Sequence, residues 1–406
     1  MSSVTTLNVL LYGELIGTIT DVGSDRSLFA FTEEYIQDQH RPVLSLSFKD
    51  SLGELISEFR PYQTKLMPFF SNVLPEEAMR NYLAERAGVN PEREFFLLWA
   101  LGQDLPGAVS VEPADGEALP PHTQALDAHS QREKAMRFSL AGVQLKFSAV
   151  KQAAGGLTVP VDGAGGSWIV KLPWSSHEGV PENEFSMMTL ARQIGIDVPE
   201  NKLISIDDIE NLPDGIGKYG RQAFAVKRFD RTDRGAAVHT EDFAQIFGVY
   251  PADKYKKASI RNIAEVIGIE GQEYDVAELI RRLVFNALIG NADMHLKNWS
   301  LIYNDPRTAS IAPAYDFVST IPYITDDEMA LKVSRSKRFD DVSMDELTHL
   351  AANARLPEKL VLDTARETVE LFHEKWASEK DNLALSGNVV RAIEKHLNGL
   401  PIAKKQ

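Results

Sequence analysis

Three oxygen-bearing side chains in two nearby segments have the types and spacing to do chemistry together. Asp293 and Asn298, with four residues between them, lie in IGNADMHLKN (289–298), and Asp316 follows in AYDFV (314–318). An enzyme that transfers a γ-phosphoryl group to a hydroxyl needs one carboxylate to orient that hydroxyl. It also needs oxygen ligands for Mg²⁺ on the other side of the phosphates. These residue types therefore favour phosphoryl transfer.

The same spacing occurs in the protein-kinase signature. There, a catalytic-loop Asp is followed by an Asn with four residues between, and a second Asp comes later on a separate segment. A simpler interpretation also fits, in which Gly290 and Asn291 end a helix and Asp293 is a solvated turn residue. Spacing alone leaves both interpretations open, so the rest of the chain has to decide between them.

The composition is that of a folded, soluble protein. The chain has 406 residues, of which 44% are hydrophobic and 25% charged, enough for about two or three domains. It contains no cysteine, which excludes disulfides and thiolate metal sites. Neither a signal-peptide pattern nor a run of about 18 apolar residues is evident, so we expect a cytoplasmic protein without membrane contact. The net charge of −15 opposes direct binding to nucleic-acid backbones, so a basic partner would carry most such contact.

The elements that must position the three side chains follow an order of strands first and helices later. Apolar runs around Gly13 predict a hairpin over 7–20, and alternation predicts a strand over 43–48. Helical periodicity covers 66–101. Residues 112–134 lose all periodicity and are the best linker candidate.

Two segments beyond the linker could bind phosphates. In 137–150, a strand, a small-residue loop at Gly142 and a second strand could lay backbone N–H groups over a nucleotide, and a plain hairpin is the alternative. Lys171 lies in an otherwise apolar strand (167–174), where its charge is costly unless paired. Glu184, in the next helix, is the candidate partner. Alternatively, the Lys171 stem reaches solvent at the strand end.

A predicted strand at 222–229 would connect a β-rich lobe to a helical one, and its backbone could pair with an adenine edge. Every later segment shows helical periodicity. The predicted helices are 240–248 with Thr240 as N-cap, 275–289, 343–354, 357–379 and 386–398. This order predicts two lobes, with the Asp293 loop leaving the end of a buried helix.

Short collinear segments along nearly the whole chain carry a more specific pattern. They are RPVLSLSF (41–48), FFSNVLPE (69–76), GQDLPGAV (102–109), SLAGVQLK (139–146), IVKLP (169–173), NEF (183–185), AVKRFDR (225–231), EDFAQIFG (241–248), GNADMHLKNWSL (290–301) and APAYDF (312–317). With these segments the chain resembles the HipA-type serine/threonine kinases, the toxin component of type II toxin–antitoxin pairs.

The resemblance implies an α+β, two-lobed fold similar to that of protein kinases. It implies an added N-terminal subdomain at 1–125, β-rich with helices. A kinase N-lobe at 130–230 would carry the phosphate loop and the strand Lys. An all-helical C-lobe at 231–406 would carry the catalytic loop.

The resemblance also implies a role for each site residue. Asp293 would be the catalytic carboxylate, and Asn298 and Asp316 would hold Mg²⁺. The ATP-binding residues would be Lys171, the phosphate-loop residues Ala141, Gly142, Val143, Gln144, Leu145 and Lys146, and the backbone of Lys227, Arg228 and Phe229. His295 and Lys297 would contact phosphate or satisfy the carbonyls of their own loop. His295 as a transition-metal ligand is disfavoured, because no second His lies at a suitable spacing.

Ser139 falls where these kinases phosphorylate themselves. A phosphoserine there would add nearly two negative charges beside the ATP phosphates, which should expel the loop and switch the enzyme off. An ordinary hairpin Ser is the alternative. Two departures from the family pattern stand out: Lys227 replaces an acidic residue, and Asp316 is followed by Phe-Val rather than Phe-Gly.

In function, the resemblance implies an ATP- and Mg²⁺-dependent kinase that arrests growth by phosphorylating a translation component. An aminoacyl-tRNA synthetase is the implied target class. The kinase would be neutralised by a small dimeric, HipB-like helix-turn-helix antitoxin, which would supply most of the contact with operator DNA. The alternative is a nucleotide-binding co-repressor that acts through the DNA-bound antitoxin, with phosphotransfer vestigial.

Overall fold

The structure is a computed structural model that describes residues 5–114, 146–151, 157–158, 166–174, 176–210, 212, 218–325 and 327–404. The linker prediction beyond residue 114, Ser139 and the loop residues 141–145 lie outside this range. Within the described residues, no helix is both long enough and apolar enough to cross a bilayer.

The N-terminal unit is built on an antiparallel five-stranded sheet. Its strands, in the spatial order β4-β3-β2-β1-β5, are β1 (Thr6–Leu11), β2 (Glu14–Gly23), β3 (Arg26–Phe31), β4 (Tyr62–Gln63) and β5 (Val109–Pro113). The accompanying helices are α1 (Glu33–Gln37), α2 (Pro68–Asn72), α3 (Glu77–Ala87) and α4 (Glu94–Leu101). Alternate side chains of β1 are fully buried, namely those of Leu7, Val9 and Leu11. The face of the sheet that carries them therefore packs on the core.

Most predictions for this unit are confirmed. The hairpin forms at Tyr12 and Gly13, which both have positive φ, and helices occupy 66–101. The strand predicted over 43–48 is wrong, because Leu46–Phe48 form a short 3₁₀ helix. Ser45 caps this turn by accepting a hydrogen bond from the backbone of Ser47. The apolar alternation arises because Leu44 and Phe48 are separately buried anchors.

The middle of the chain forms a second sheet. Its strands, in the order β10-β7-β6-β8-β11-β9, are β6 (Lys146–Lys151), β7 (Leu157–Thr158), β8 (Trp168–Lys171), β9 (Asn201–Ser205), β10 (Ile209–Glu210) and β11 (Gln222–Lys227). Helix α5 (Val180–Gln193) packs on β11 and buries Met187 and Leu190 against Phe224. The predicted strands around Lys171 and at 222–229, and the predicted helix between them that carries Glu184, are confirmed.

The remainder is mainly helical. Its helices are α6 (Phe243–Ile246), α7 (Ile260–Glu270), α8 (Glu273–Ile289), α9 (Met344–Ala354), α10 (Glu358–Glu379) and α11 (Gly387–Gly399). Its strands, β12 (His239–Asp242), β13 (Ser300–Asp305) and β14 (Thr308–Ile311), form an antiparallel sheet in the order β12-β13-β14. The α+β class is confirmed, but the C-terminal part is not all-helical.

A helix does form within the predicted range 240–248, at Phe243–Ile246, but the predicted start with Thr240 as N-cap is wrong. Thr240 lies in β12, where its hydroxyl donates to the carbonyl of Leu301. The true N-cap is Asp242, which forms a reciprocal capping box with Gln245 at the start of α6. Helix α7 was not predicted, whereas α8, α9, α10 and α11 match their predicted positions.

Candidate active site

The loop that carries Asp293 begins at the C-terminal end of helix α8. The helix is buried along most of its length and ends at Gly290, whose φ of +65° turns the chain out of it. Asn291 then fixes the loop: its side-chain oxygen accepts from the backbone N–H of Asp293 at 3.0 Å. Its amide nitrogen donates to Asn286 at 2.8 Å and to the carbonyl of Asp316 at 3.4 Å. One buried amide therefore holds both functional segments in a common geometry.

Asp293 is exposed at the surface of this loop. Its Oδ1 accepts a hydrogen bond from the hydroxyl of Tyr255 at 2.7 Å. Desolvation by the surrounding protein raises the pKa of Asp293, and the charge of Asp316 raises it further, while the Tyr255 hydrogen bond lowers it. The carboxylate thus has one oxygen held by the protein and a second oxygen available to a ligand.

Lys171 lies at the end of β8, with only 6% of its side chain exposed. Its ammonium contacts two carboxylates, those of Glu184 from α5 and of Asp316. Burial alone would lower the pKa of Lys171, but Asp316 and Glu184 outweigh that effect and raise it. Burial raises the pKa of Glu184, with Lys171 opposing it. The structure therefore contains the ion pair between Lys171 and Glu184 and adds a third member to it.

Asp316 is that third member, and its backbone is strained. Its φ of +58° lies in the left-handed region, which costs a residue other than Gly about 1 kcal/mol and occurs preferentially at functional sites. Its Oδ2 lies 3.7 Å from the ammonium of Lys146, which stands opposite Lys171 in the pairing of β6 with β8. Burial would raise the pKa of Asp316, but Lys146 and Lys171 hold it far below its usual value. The carboxylate is therefore ionised between two cations.

Asn298 is buried, and its amide nitrogen donates to the carbonyl of Asp293 at 2.9 Å. This bond leaves the amide oxygen of Asn298 as a possible ligand. No group of three or more His, Cys, Asp or Glu side chains suited to a metal lies within the described residues. Mg²⁺ usually takes only one or two carboxylates and completes its shell with phosphate and water. The hard oxygens of Asp316 and Asn298 fit that requirement.

The side chains of His295 and Lys297 contact different parts of the protein. The His295 ring is buried, packs edge-on to Tyr255 at 5.0 Å, and its Nδ1 meets no partner among the described residues. Burial, followed by the charge of Lys254, lowers the pKa of His295 to about 3, so the ring is neutral. Lys297 donates to the carbonyl of Asn72 at 2.7 Å, in the N-terminal unit. Of the two alternatives for Lys297, its ammonium therefore does not bond to the carbonyls of its own loop, and contact with phosphate stays a prediction.

Two of the backbone N–H groups in the segment predicted to bind adenine already donate hydrogen bonds within the protein. The N–H of Lys227 donates to the carbonyl of Glu200, and that of Arg228 donates to the carbonyl of Ser167, both at 2.8 Å. Phe229 follows the end of β11, and its ring lies 5.7 Å from that of Tyr315, next to Asp316. Phe229 is therefore the residue of the three that faces the Asp316 segment.

Sequence reasoning missed three contributors to this site. Tyr255 lies in a polar segment between helices, where no periodicity or motif marks it. Asn291 was considered only as a turn residue, although a buried amide beside a catalytic carboxylate is a common way to fix a loop. Arg228 was considered for its backbone alone, but its buried guanidinium binds Asp104 and Asp230.

Comparisons with known proteins agree with this geometry. The family described as HipA N-terminal domain matches residues 7–112, and the HipA-like C-terminal domain matches residues 138–376. The Sinorhizobium fredii protein named "Putative kinase Y4dM" is 58% identical over 399 residues. The match covers 98% of this chain and 97% of that protein. The serine/threonine-protein kinase toxin HipA of Shewanella oneidensis is 26% identical over 388 residues, covering 85% of this chain and 82% of that protein.

A solved structure shows the same fold. The HipA chain in the Shewanella oneidensis MR-1 complex of HipA, HipB and operator DNA superposes with a TM-score of 0.71. The match covers 97% of both chains at 22% sequence identity. The two-lobed, kinase-like architecture with an added N-terminal unit is therefore confirmed.

Proposed function

This chain belongs to the HipA family, and from that premise we propose that it is an ATP-dependent serine/threonine protein kinase and the toxin of a toxin–antitoxin pair. One observation carries the proposal. The ammonium of Lys171 joins a helix carboxylate, Glu184, to the carboxylate of Asp316. The backbone of Asp316 is in turn tied to the Asp293 loop through Asn291. This is the set of groups that kinase chemistry requires.

In this proposal, Lys171 and Lys146 receive the phosphates of ATP. Both ammonium groups lie on adjacent strands and face Asp316, so a triphosphate would meet two cations there. Asp316 and the amide oxygen of Asn298 are the ligands that would hold Mg²⁺. When bound, Mg²⁺ would neutralise phosphate charge. Phe229 is the residue whose position suits contact with the base.

Asp293 would orient the acceptor hydroxyl. Tyr255 holds Oδ1, so Oδ2 is the atom that would accept the hydrogen bond from a serine or threonine hydroxyl. The hydroxyl oxygen forms a bond to the γ-phosphorus while the bond from that phosphorus to the β,γ-bridging oxygen breaks. The products are the phosphorylated residue and ADP, and the hydroxyl proton passes to Asp293 and then to solvent.

The finer assignments rest on family likeness. We include in the proposal an aminoacyl-tRNA synthetase as the target class, autophosphorylation on Ser139, and action in the cytoplasm. The solved relative was captured with HipB and operator DNA, which supports a HipB-like antitoxin as the partner. The net charge of −15 supports contact with DNA mainly through that partner.

Phosphate transfer with labelled ATP and Mg²⁺ tests the proposal. We expect the purified protein to label itself, a Ser139→Ala variant to lose that label, and Asp293→Asn to reduce transfer by about 10³-fold or more. Asp381→Asn, which changes an exposed Asp in the same way, is the matched control. If the parent transfers no phosphate and expression without an antitoxin arrests growth in neither the parent nor Asp293→Asn, the kinase proposal fails. The co-repressor interpretation would then be favoured.

A further inference from the structure

A short segment beside Asp293 is built as a rigid, basic turn, defined here as residues 250–257. Its own backbone closes it: the N–H of Asp253 donates to Tyr250, and that of Lys256 donates to Asp253, each at 2.9 Å. The carbonyl of Lys254 accepts from the backbone of Leu296 in the catalytic loop at 3.3 Å. Together with the bond from Tyr255 to Asp293, this contact fixes the basic turn against the proposed phosphotransfer site.

A cleft of about 440 Å³ opens along one side of the basic turn. Phe247, Val249 and Tyr250 give it apolar walls, and Lys257 and Asn262 add polar groups. A cleft of this size, with apolar walls beside charged and polar groups, suits one or two side chains of an extended segment.

The charges around this cleft are unbalanced. Lys256 and Lys257 are exposed, and neither forms an ion pair with a residue that the structure describes. Lys65 adds a third cation, with its ammonium 5.0 Å from the centre of the Tyr250 ring. Asp253 is the one carboxylate that lines the cleft. In a chain of net charge −15, this local excess of positive charge favours an acidic ligand.

We propose that this cleft binds the part of the protein substrate that flanks the acceptor hydroxyl, and that it selects acidic flanking residues next to an apolar one. The inference rests on the proposed kinase function and names a substrate preference for it. Lys257 is two residues from Tyr255, or at most about 7.6 Å between Cα atoms. An extended substrate advances about 3.3 Å per residue, so a side chain only a few positions from the acceptor reaches the cleft.

Binding of matched peptides tests the preference directly. Fluorescent serine peptides that differ only in Glu or Lys at the flanking positions are titrated with the protein at low salt, with a non-hydrolysable ATP analogue and Mg²⁺ present. We expect the parent to bind the Glu peptide about tenfold more tightly than the Lys peptide. The Lys256→Glu/Lys257→Glu variant should lose or reverse that ratio. Lys395→Glu/Lys404→Glu, the same change at exposed lysines elsewhere, should keep it.

The ratio separates the possible outcomes. A parent that binds both peptides equally or binds neither overturns the inference, and so does a Lys256→Glu/Lys257→Glu variant that keeps the Glu preference. In a parallel titration with labelled RNA, a parent that binds the RNA and a Lys256→Glu/Lys257→Glu variant that loses it while keeping the peptide ratio would overturn the inference in favour of nucleic acid. A Glu preference in a parent that transfers no phosphate and does not arrest growth would leave the docking site standing while the kinase proposal fails.

Discussion

At the scale of single residues, the site depends on how a buried lysine is kept charged. Lys171 is nearly inaccessible to solvent, and an unpaired ammonium there would shift its pKa down or move out of the interior. Glu184 and Asp316 prevent both, since each lies in direct contact with the ammonium. Lys146, followed by this contact with Lys171, lowers the pKa of Asp316 and keeps it ionised. The proposed phosphate anchor and the proposed metal ligand therefore stabilise each other's charge.

Tyr255→Phe should move the pH dependence of phosphate transfer. The Tyr255 hydrogen bond lowers the pKa of Asp293 against desolvation, so its loss should raise that pKa further. Transfer needs the ionised carboxylate and is lost as pH falls through this pKa. The acidic limb of kcat/KM should therefore move to higher pH, with a loss of about three- to tenfold near neutral pH.

The measurement is kcat/KM against pH for the parent, Tyr255→Phe and the control Tyr274→Phe, which removes the hydroxyl of an exposed tyrosine. An unchanged acidic limb in Tyr255→Phe, with only a uniform drop in rate, would show that the hydroxyl does not act through Asp293.

The sequence predicted Asp293 and Asn298 from their spacing, and Asp316 from the segment that follows them. It did not predict Tyr255, since 38 residues separate Tyr255 from Asp293 and no motif spans them.

At the scale of elements, the end of α8 sets the position of the whole catalytic loop. Gly290 turns the chain with a left-handed backbone, and its carbonyl accepts from the N–H groups of Thr320 and Ile321. A Cβ on Gly290 would lie 2.5 Å from Cδ1 of Ile321. Position 290 therefore has two separate reasons to be glycine, one conformational and one steric.

Gly290→Ala should lower both stability and activity. The left-handed backbone costs alanine about 1 kcal/mol, and relief of the clash with Ile321 adds to that, for a total of about 2–4 kcal/mol. Urea unfolding measures the stability, and phosphate transfer measures the displacement of the loop. Gly399→Ala is the control, because no atom lies within 4 Å of its added Cβ.

A second substitution separates the two causes. Ile321→Val removes the clashing Cδ1 atom, so it should restore part of the stability that Gly290→Ala loses. No recovery in the double variant would mean that the clash with Cδ1 does not contribute, and that the backbone conformation and the contacts with Cγ1 and Cγ2 of Ile321, at 2.9 and 3.0 Å, account for the loss. The helix itself was predictable from its 3.6-residue apolar period, and so was the glycine at its end.

The mistaken elements share one physical cause. Residues 240–242 have a plausible helix start, but pairing with β13 places them in a strand. Residues 43–48 alternate like a strand, but Leu46 donates its N–H to Glu241 and the chain curls into a turn instead. In both cases a partner far away in the sequence decides the local conformation, and local periodicity carries no information about such a partner.

At the scale of the molecule, the N-terminal unit joins the rest through buried polar groups rather than through apolar contact alone. The guanidinium of Arg228 binds Asp104 of the N-terminal unit at 3.0 Å and Asp230 at 2.9 Å. Glu241, in β12, accepts from Ser45 at 2.5 Å and from the backbone of Leu46 at 3.0 Å. The division of the chain at 112–134, which rests on the loss of periodicity there and on the family resemblance, stays a prediction. The contacts between the N-terminal unit and the rest were not predictable, since Asp104 and Arg228 stand 124 positions apart and Ser45 and Glu241 stand 196 positions apart.

Glu241 should contribute less to the stability of the molecule as pH rises. Burial raises its pKa from 4.5 to about 7, although Ser45 and Tyr303 donate hydrogen bonds to it. A carboxyl whose pKa is higher in the folded than in the unfolded state contributes stability that is fully present below pH 4.5 and is lost as pH rises through 7. Asp242 on the same strand acts in the same direction, because burial raises its pKa too. His239 acts in the opposite direction, because burial lowers its pKa from 6.5 to about 4, so its contribution to stability rises with pH over that range.

Urea unfolding of the parent and Glu241→Gln between pH 5 and 8 isolates this contribution. Because Gln cannot ionise, the stability of the parent relative to Glu241→Gln should decline with rising pH, by a total on the order of 3 kcal/mol. Glu370→Gln, at an exposed position, should track the parent throughout. A constant difference between the parent and Glu241→Gln would mean that Ser45, Leu46 and Tyr303 keep the carboxylate ionised at every pH. The junction between the two units would then be insensitive to pH in this range.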